Sequence, residues 1–275
     1  MQLKNGLKYS EESFQAMANI HIKSDPIKKV YYDPIEVSDK FLGVLFWISA
    51  ALSFLIALID IPSNPKVYSY LQIAFCIFVL LTFTLDIFNR LYLKPRADDM
   101  RMKDFLSHAY GIPLHHSQTT NYYNNNETLP IRKIAAQLLE NSMHSKSTAL
   151  GMAIKTRLIT IIYLAMFTTI CINRSTQLEI ISIGAQIIFG EHILSSLIRT
   201  EWTRIRFERV YDEMYTLFQL NPAKEQFEIK TLEALTKYET TKANGGILLS
   251  LNIFDTNNYG VSNDWDALKA KLKIL

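Results

Sequence analysis

At 275 residues, with a net charge of +3, 49% hydrophobic residues and a mean hydropathy of +0.06, the chain reads as an apolar part diluted by a comparable mass of polar protein. Its two cysteines, Cys76 and Cys171, both fall inside apolar stretches, which excludes the disulfide framework of a small secreted domain and leaves them as packing residues. The first apolar stretch starts about forty residues in, behind a polar leader, so no cleaved signal peptide is expected.

The leader, residues 1–40, is weakly amphipathic around Phe14, Met17 and Ile20, is broken at Asp25-Pro26 and Asp33-Pro34, and is expected to lie along the cytoplasmic face. Residues 41–88 form a first transmembrane hairpin. Its first arm, 41–61, carries one ionisable group, Asp60 at the very end, and its second, 71–85, carries none. With their flanks both reach the about 20 residues that a hydrocarbon core of about 30 Å demands of a helix. Ser49, Ser53 and Ala57 recur every fourth residue, a stripe of small side chains that lets helices approach closely.

The insert, 89–156, continues the second span as a helix until Gly111-Ile112-Pro113. It becomes a polar loop over 115–130 and resumes as a helix at Ile131 with Ile134, Leu138 and Met143 as its apolar positions. A second hairpin follows over 157–198. Residues 158–172 are wholly apolar, flanked by Lys155 and Arg157, whereas 178–197 are interrupted by Glu179, Gln186, Glu191 and His192. In the last region, 199–275, Phe207, Val210, Tyr211, Met214, Leu217 and Phe218 recur at helical spacing up to Asn221-Pro222. A second helix carries Phe227, Leu232, Leu235 and Tyr238 and stops at Asn244-Gly245-Gly246. Residues 247–254 are expected as a short strand, and Ser262 or Asn263 to open a last helix with Trp265, Leu268 and Leu272.

Orientation follows from the loops. The short connections 62–66 and 173–177 hold only Lys66 and Arg174, whereas the leader, the insert and the last region are basic beside the membrane, so all three are expected in the cytoplasm. The fold class is therefore an all-α membrane protein with four transmembrane helices in two hairpins and cytoplasmic helical extensions, both termini facing the cytoplasm.

Nothing argues for an enzyme: there is no Gly-rich phosphate loop, no nucleophile elbow and no zinc spacing of Cys or His. His108, His115 and His116 read as surface histidines rather than a metal site, and no cofactor is expected. Within the fourth span, Gly184, Glu191 and Ser195 share one helical face while Gln186 lies on another. These four are the pore-lining candidates, because ionisable and polar groups at depth usually face a water-filled path; the alternative is that Glu191 and His192 reach the headgroups. On the cytoplasmic side, Lys94, Arg96, Arg101 and Lys103 follow the second span and Arg204, Arg206 and Arg209 the fourth, with Tyr122 and Tyr123 in the polar loop. Such residues serve either orientation and anionic lipid or a bound anion, with arginines on phosphates and aromatics stacked on bases.

Lys94-Pro95-Arg96-Ala97-Asp98, Asp104-Phe105-Leu106 ahead of Tyr110-Gly111, Asn121-Tyr122-Tyr123-Asn124-Asn125 and Leu139-Glu140-Asn141-Ser142, set on two hairpins and an insert, give a chain that resembles the four-transmembrane pore-forming effectors of bacterial anti-phage defence encoded beside nucleotidyltransferases, including the Hailong membrane effector. The resemblance implies a homo-oligomeric ion channel, expected as a tetramer, in the bacterial inner membrane. It further implies abortive infection as the outcome and control by a nucleotide or single-stranded oligonucleotide from a partner nucleotidyltransferase. A non-conducting membrane adaptor or regulatory protein is the alternative with the same topology.

Overall fold

The computed structural model describes residues 24–59, 62–172, 178–189 and 193–275. The amphipathic positions Phe14, Met17 and Ile20, and the pore candidate Glu191, lie outside them. The described residues form eight α-helices and two π-helical turns, with an isolated bridge between Ser24 and Thr120 and no strand.

A π-helical turn, Lys28–Tyr32, leads into α1, Asp33–Leu58. α2, Pro65–Phe88, passes through a second π-helical turn, Asn89–Leu93, into α3, Lys94–Tyr110. Each wide turn stands directly before a proline pair, Asp33-Pro34 or Lys94-Pro95. A proline inside an α-helix lacks one N–H and pushes its ring against the carbonyl four residues back. Here the wider turn absorbs that conflict, with the N–H groups of Asp33 and Lys94 bonded five residues back to Lys28 and Asn89. The break expected at Asp33-Pro34 is thus a change of helical pitch, and the helix runs on from the leader into the membrane part.

α4, Pro130–Ile172, is one unbroken helix. α5 covers Leu178–Phe189 and α6 Leu194–Leu220, followed by α7, Lys224–Gly245, and α8, Leu251–Leu272. Among the described residues, three continuous helices are long and apolar enough to cross a membrane: Lys28–Leu58, Pro65–Tyr110 and Pro130–Ile172. This is the mark of a membrane-embedded chain. No residue of α2 is buried, as suits a helix whose surroundings are lipid or another subunit. In the sequence expected as a fourth span, α5, roughly 18 Å long at 1.5 Å per residue, lies against α4 at Gly184 and Phe167, and the start of α6 lies against α4 where Arg157 pairs with Glu201.

The core sits in the extensions. Phe105 of α3, Leu138 and Leu139 of α4, Phe207 and Met214 of α6, Phe227 of α7 and Trp265 of α8 are buried together. Two expectations need correction here. Residues 246–250 form no strand but a link that turns at the left-handed Gly246, and the last helix opens at Leu251, capped by the Ser250 hydroxyl that accepts from the Ile253 N–H. The early start is fixed by packing: a Cβ on Gly151 of α4 would sit 2.7 Å from Ile253 Cγ2, so α8 presses on α4 where only hydrogen stands between them. Leu232, placed on the apolar side of α7, is instead 47% exposed.

The loop 111–129 is pinned by Asp104, whose side chain is fully buried. Its carboxylate accepts from the Thr119 N–H at 2.9 Å and the Thr119 hydroxyl at 2.7 Å. His115, expected at the surface, has a side chain only 7% exposed, its Nε2 3.4 Å from Asp104 Oδ1. The neighbouring Ser24 pairs through both backbone bonds with Thr120, and the Trp265 indole donates to the Asn124 carbonyl. These anchors hold Tyr122 and Tyr123 in fixed positions.

Candidate ligand-binding cavity

α3 offers one stripe to the interior, because Lys94, Asp98, Arg101 and Phe105 recur at intervals of three and four. Facing it are Glu140, His144 and Thr148 of α4, Thr203 and Phe207 of α6, and Tyr238, Glu239 and Lys242 of α7. The link residues Ile247, Leu248 and Leu249 and Phe254 of α8 close one side, and Asp25, Tyr32, Tyr122 and Tyr123 another. The cavity they line holds about 420 Å³.

Arg101 is its central cation. Nη2 donates to Asp25 Oδ2 at 2.7 Å, and the guanidinium lies 4.7 Å from the Tyr122 ring centre and 5.4 Å from that of Tyr32. Burial works against its charge, but Tyr122 and Asp25 outweigh that and hold its pKa above the ordinary arginine value. Nη1 is buried without a protein partner, and so are the Tyr123 and Thr203 hydroxyls. Buried polar groups are nearly always paired, so orphaned groups on three residues of the cavity lining stand out, although the Thr203 hydroxyl is turned toward Gly245.

The remaining polar groups are fixed around this centre. The Tyr32 hydroxyl donates to Asp98 Oδ1 at 3.0 Å, Ser145 and Tyr238 share a hydrogen bond of 2.7 Å, and Lys94 Nζ donates to the Lys242 carbonyl at 3.1 Å. Burial raises the pKa of Tyr32, Tyr122, Tyr123 and Tyr238, which keeps all four phenols as donors at neutral pH. Burial lowers Lys94, with Asp98 opposing the shift and Lys242 adding to it, and burial raises Glu239. Chemically, the cavity joins a guanidinium and an ammonium to aromatic faces, the combination that holds a phosphate and a base together.

The structure thus brings Lys94, Arg101, Tyr122 and Tyr123 into one site and leaves the other ligand candidates elsewhere. Arg96 is on the opposite side of α3, over the Tyr31 and Tyr92 rings, and Lys103 pairs with Asp99 at 2.6 Å. Arg204 pairs with Glu201 and Glu208 in a shallower depression beside Lys146 and Tyr211, Arg206 stacks on Trp202 at 4.9 Å, and Arg209 is exposed. Asp25, Tyr32, Thr203, Tyr238 and Lys242 went unrecognised in the sequence. Apart from Tyr238 and Lys242, which share α7, they reach the cavity from different parts of the chain, and no local spacing marks such a meeting. Lys242 next to a helix end and the Tyr31-Tyr32 pair ahead of a proline were the signals on offer.

A second cavity, of about 640 Å³, lies between α1, α2, α5 and α6. Among the pore candidates, Gln186 lines it with Ser49, Ser53 and Thr82; Gly184 is buried against Phe167; Ser195 is half-buried, and its neighbour Ser196 reaches the cavity. Ile247 and Leu248 line both cavities. No family model matches the chain, nor does any curated protein or solved structure.

Proposed function

We propose that the protein is a homo-oligomeric membrane channel whose state is set by a nucleotide or short single-stranded oligonucleotide bound in the cytoplasmic cavity. The observation that carries this reading is the double exposure of Ile247 and Leu248, which form a thin partition between the cavity at Arg101 and the one between the membrane helices. A ligand that fills the first cavity presses on the wall of the second. It shifts the channel only by its difference in affinity between two positions of that wall. α5 and the start of α6 belong, in this reading, to the fourth crossing, and Gln186 and Ser196 on them line the second cavity, as suits a segment beside water rather than lipid. In this reading the chain is the effector of an anti-phage system and a neighbouring nucleotidyltransferase makes the ligand.

The test is conductance of purified protein in planar bilayers, with and without a panel of short single-stranded oligonucleotides. A current that one of them opens or closes, and that Arg101→Ala renders insensitive, supports the channel. Silence under every condition, with tight oligonucleotide binding retained, makes the protein a ligand-sensing membrane adaptor.

A further inference from the structure

The cavity between the membrane helices is graded along its length. On α1, Asp39, Gly43, Phe46, Ala50 and Ser53 follow at intervals of three and four, a single face about 21 Å long at 1.5 Å per residue. That is more than half of a hydrocarbon core of about 30 Å. The antiparallel α2 runs from Phe75 and Val79 to Asp86, with Arg90 in the π-helical turn that follows, and the Asn89 amide bonded to Asp39 at 3.1 Å fixes the charged ends side by side. Arg199 of α6 joins them there, beside Gly246. The other end is walled by Phe46, Phe75, Val79, Ile183 and Ile187. Midway, a Cβ built on Gly43 meets nothing within 4 Å, so the groove is open where it passes α1.

Resting on the membrane location of these helices, we propose that the groove is a binding site for one phospholipid of the cytoplasmic leaflet whose headgroup carries both a phosphate and an amine. Its charged end holds two guanidinium groups, Arg90 and Arg199, and two carboxylates, Asp39 and Asp86, with Arg90 and Asp86 already paired at 3.0 Å. An anionic headgroup without an amine meets only half of that set, whereas a phosphoethanolamine offers its phosphate to the arginines and its ammonium to the carboxylates. The apolar end takes an acyl chain of matching length. The chain then lies across Gln186 and beneath the partition at Ile247 and Leu248, so the lipid occupies the path that a ligand in the cytoplasmic cavity would open, and each changes the affinity of the other by the same factor.

Retained lipid tests this without any current being recorded, which separates it from the channel reading. Full-length protein from membranes containing phosphatidylethanolamine and phosphatidylglycerol is taken through delipidating detergent, and bound phospholipid is counted by native mass measurement. About one phosphatidylethanolamine per chain is expected, lost in Gly43→Trp, which fills the groove without a backbone clash, and reduced more than tenfold in Arg90→Ala/Arg199→Ala. Asp39→Asn/Asp86→Asn, which keeps the shape, should switch the preference to phosphatidylglycerol. Delipidated wild-type protein, preference for phosphatidylglycerol in the wild type, or unchanged retention in a monodisperse Gly43→Trp overturns the proposal.

Discussion

Arg101 gives one arm of its guanidinium to Asp25 and leaves the other buried with no protein partner, in the cavity wall beside Tyr32 and Tyr122. A planar fork that holds a fixed carboxylate with one arm aims its second donor in a set direction, whereas an ammonium is a compact charge whose three donors rotate. Arg101→Lys should therefore weaken oligonucleotide binding by about 10–100-fold, the loss expected for hydrogen bonds to a charged group. Titration calorimetry at fixed salt checks this. Equal affinity in wild type and Arg101→Lys would move the ligand away from this cavity.

Tyr122 separates stacking from hydrogen bonding. Tyr122→Phe keeps the ring beside Arg101 and should bind nearly as wild type. Tyr122→Ala should lose roughly 1–3 kcal/mol, the contribution of one base stacked on an aromatic ring. Matching losses in both variants would assign the role to the hydroxyl.

Lys94 makes binding pH-dependent. Burial holds its pKa below the ordinary 10.5, so the free protein gives up this proton earlier than an exposed lysine does. A bound anion restores the charge, and binding takes up a proton in the window between the lowered value and 10.5. Affinity should be flat below that window and fall as pH rises through it, and Lys94→Arg should flatten the curve. For folding the sign is opposite: the native state binds fewer protons than the unfolded chain, so the contribution of Lys94 to stability rises with pH across the same window.

Asp104 tests the loop. In Asp104→Ala the buried N–H and hydroxyl of Thr119 lose their acceptor, at a cost of roughly 1–3 kcal/mol for each group left unpaired. Thermal unfolding in detergent should show the loss, and oligonucleotide affinity should drop with it because Tyr122 and Tyr123 are displaced. A variant of wild-type stability with full affinity would mean that the backbone bonds at Ser24 and Thr120 hold the loop unaided.

Topology is open to chemical labelling. With Cys76 and Cys171 replaced by alanine, single cysteines at Asn64 and Ser175 should react with an impermeant thiol reagent from outside the cell. Cysteines at Thr128 and Tyr259 should react only after lysis. External reaction at Tyr259 would leave three crossings and turn the last region outward.

Apolar runs made the membrane helices legible in the sequence, and helical spacing did the same for the core faces around Phe207 and Trp265, since both patterns are local. The link was misjudged for the same reason. Ile247, Leu248 and Leu249 look like a strand by composition, yet here they border one cavity made by α3, α4, α6 and α7, and Ile247 and Leu248 also a second made by α1, α2, α5 and α6. Basic clusters beside the membrane were visible, but not which members face inward: Arg96 and Arg101 are five residues apart on one helix and lie on different sides of it. Asp25 and Lys242, far apart in the chain, become neighbours of Arg101 only through tertiary packing.

The turn at Asn89–Leu93 has an angular meaning. A π-helical turn carries one residue more than an α-helical turn, about 100° of rotation about the axis. α3 is therefore rotated by that amount from where an uninterrupted α2 would have carried it, and its stripe of Lys94, Asp98, Arg101 and Phe105 owes its bearing to the turn that Pro95 requires. In a chain with one residue removed from this turn and Pro95→Ala, the spans would keep their lengths while Arg101 swung away from Tyr122. By the same arithmetic, a change of this turn by one residue would twist the membrane helix about its own axis while moving it along that axis by only about 1.5 Å.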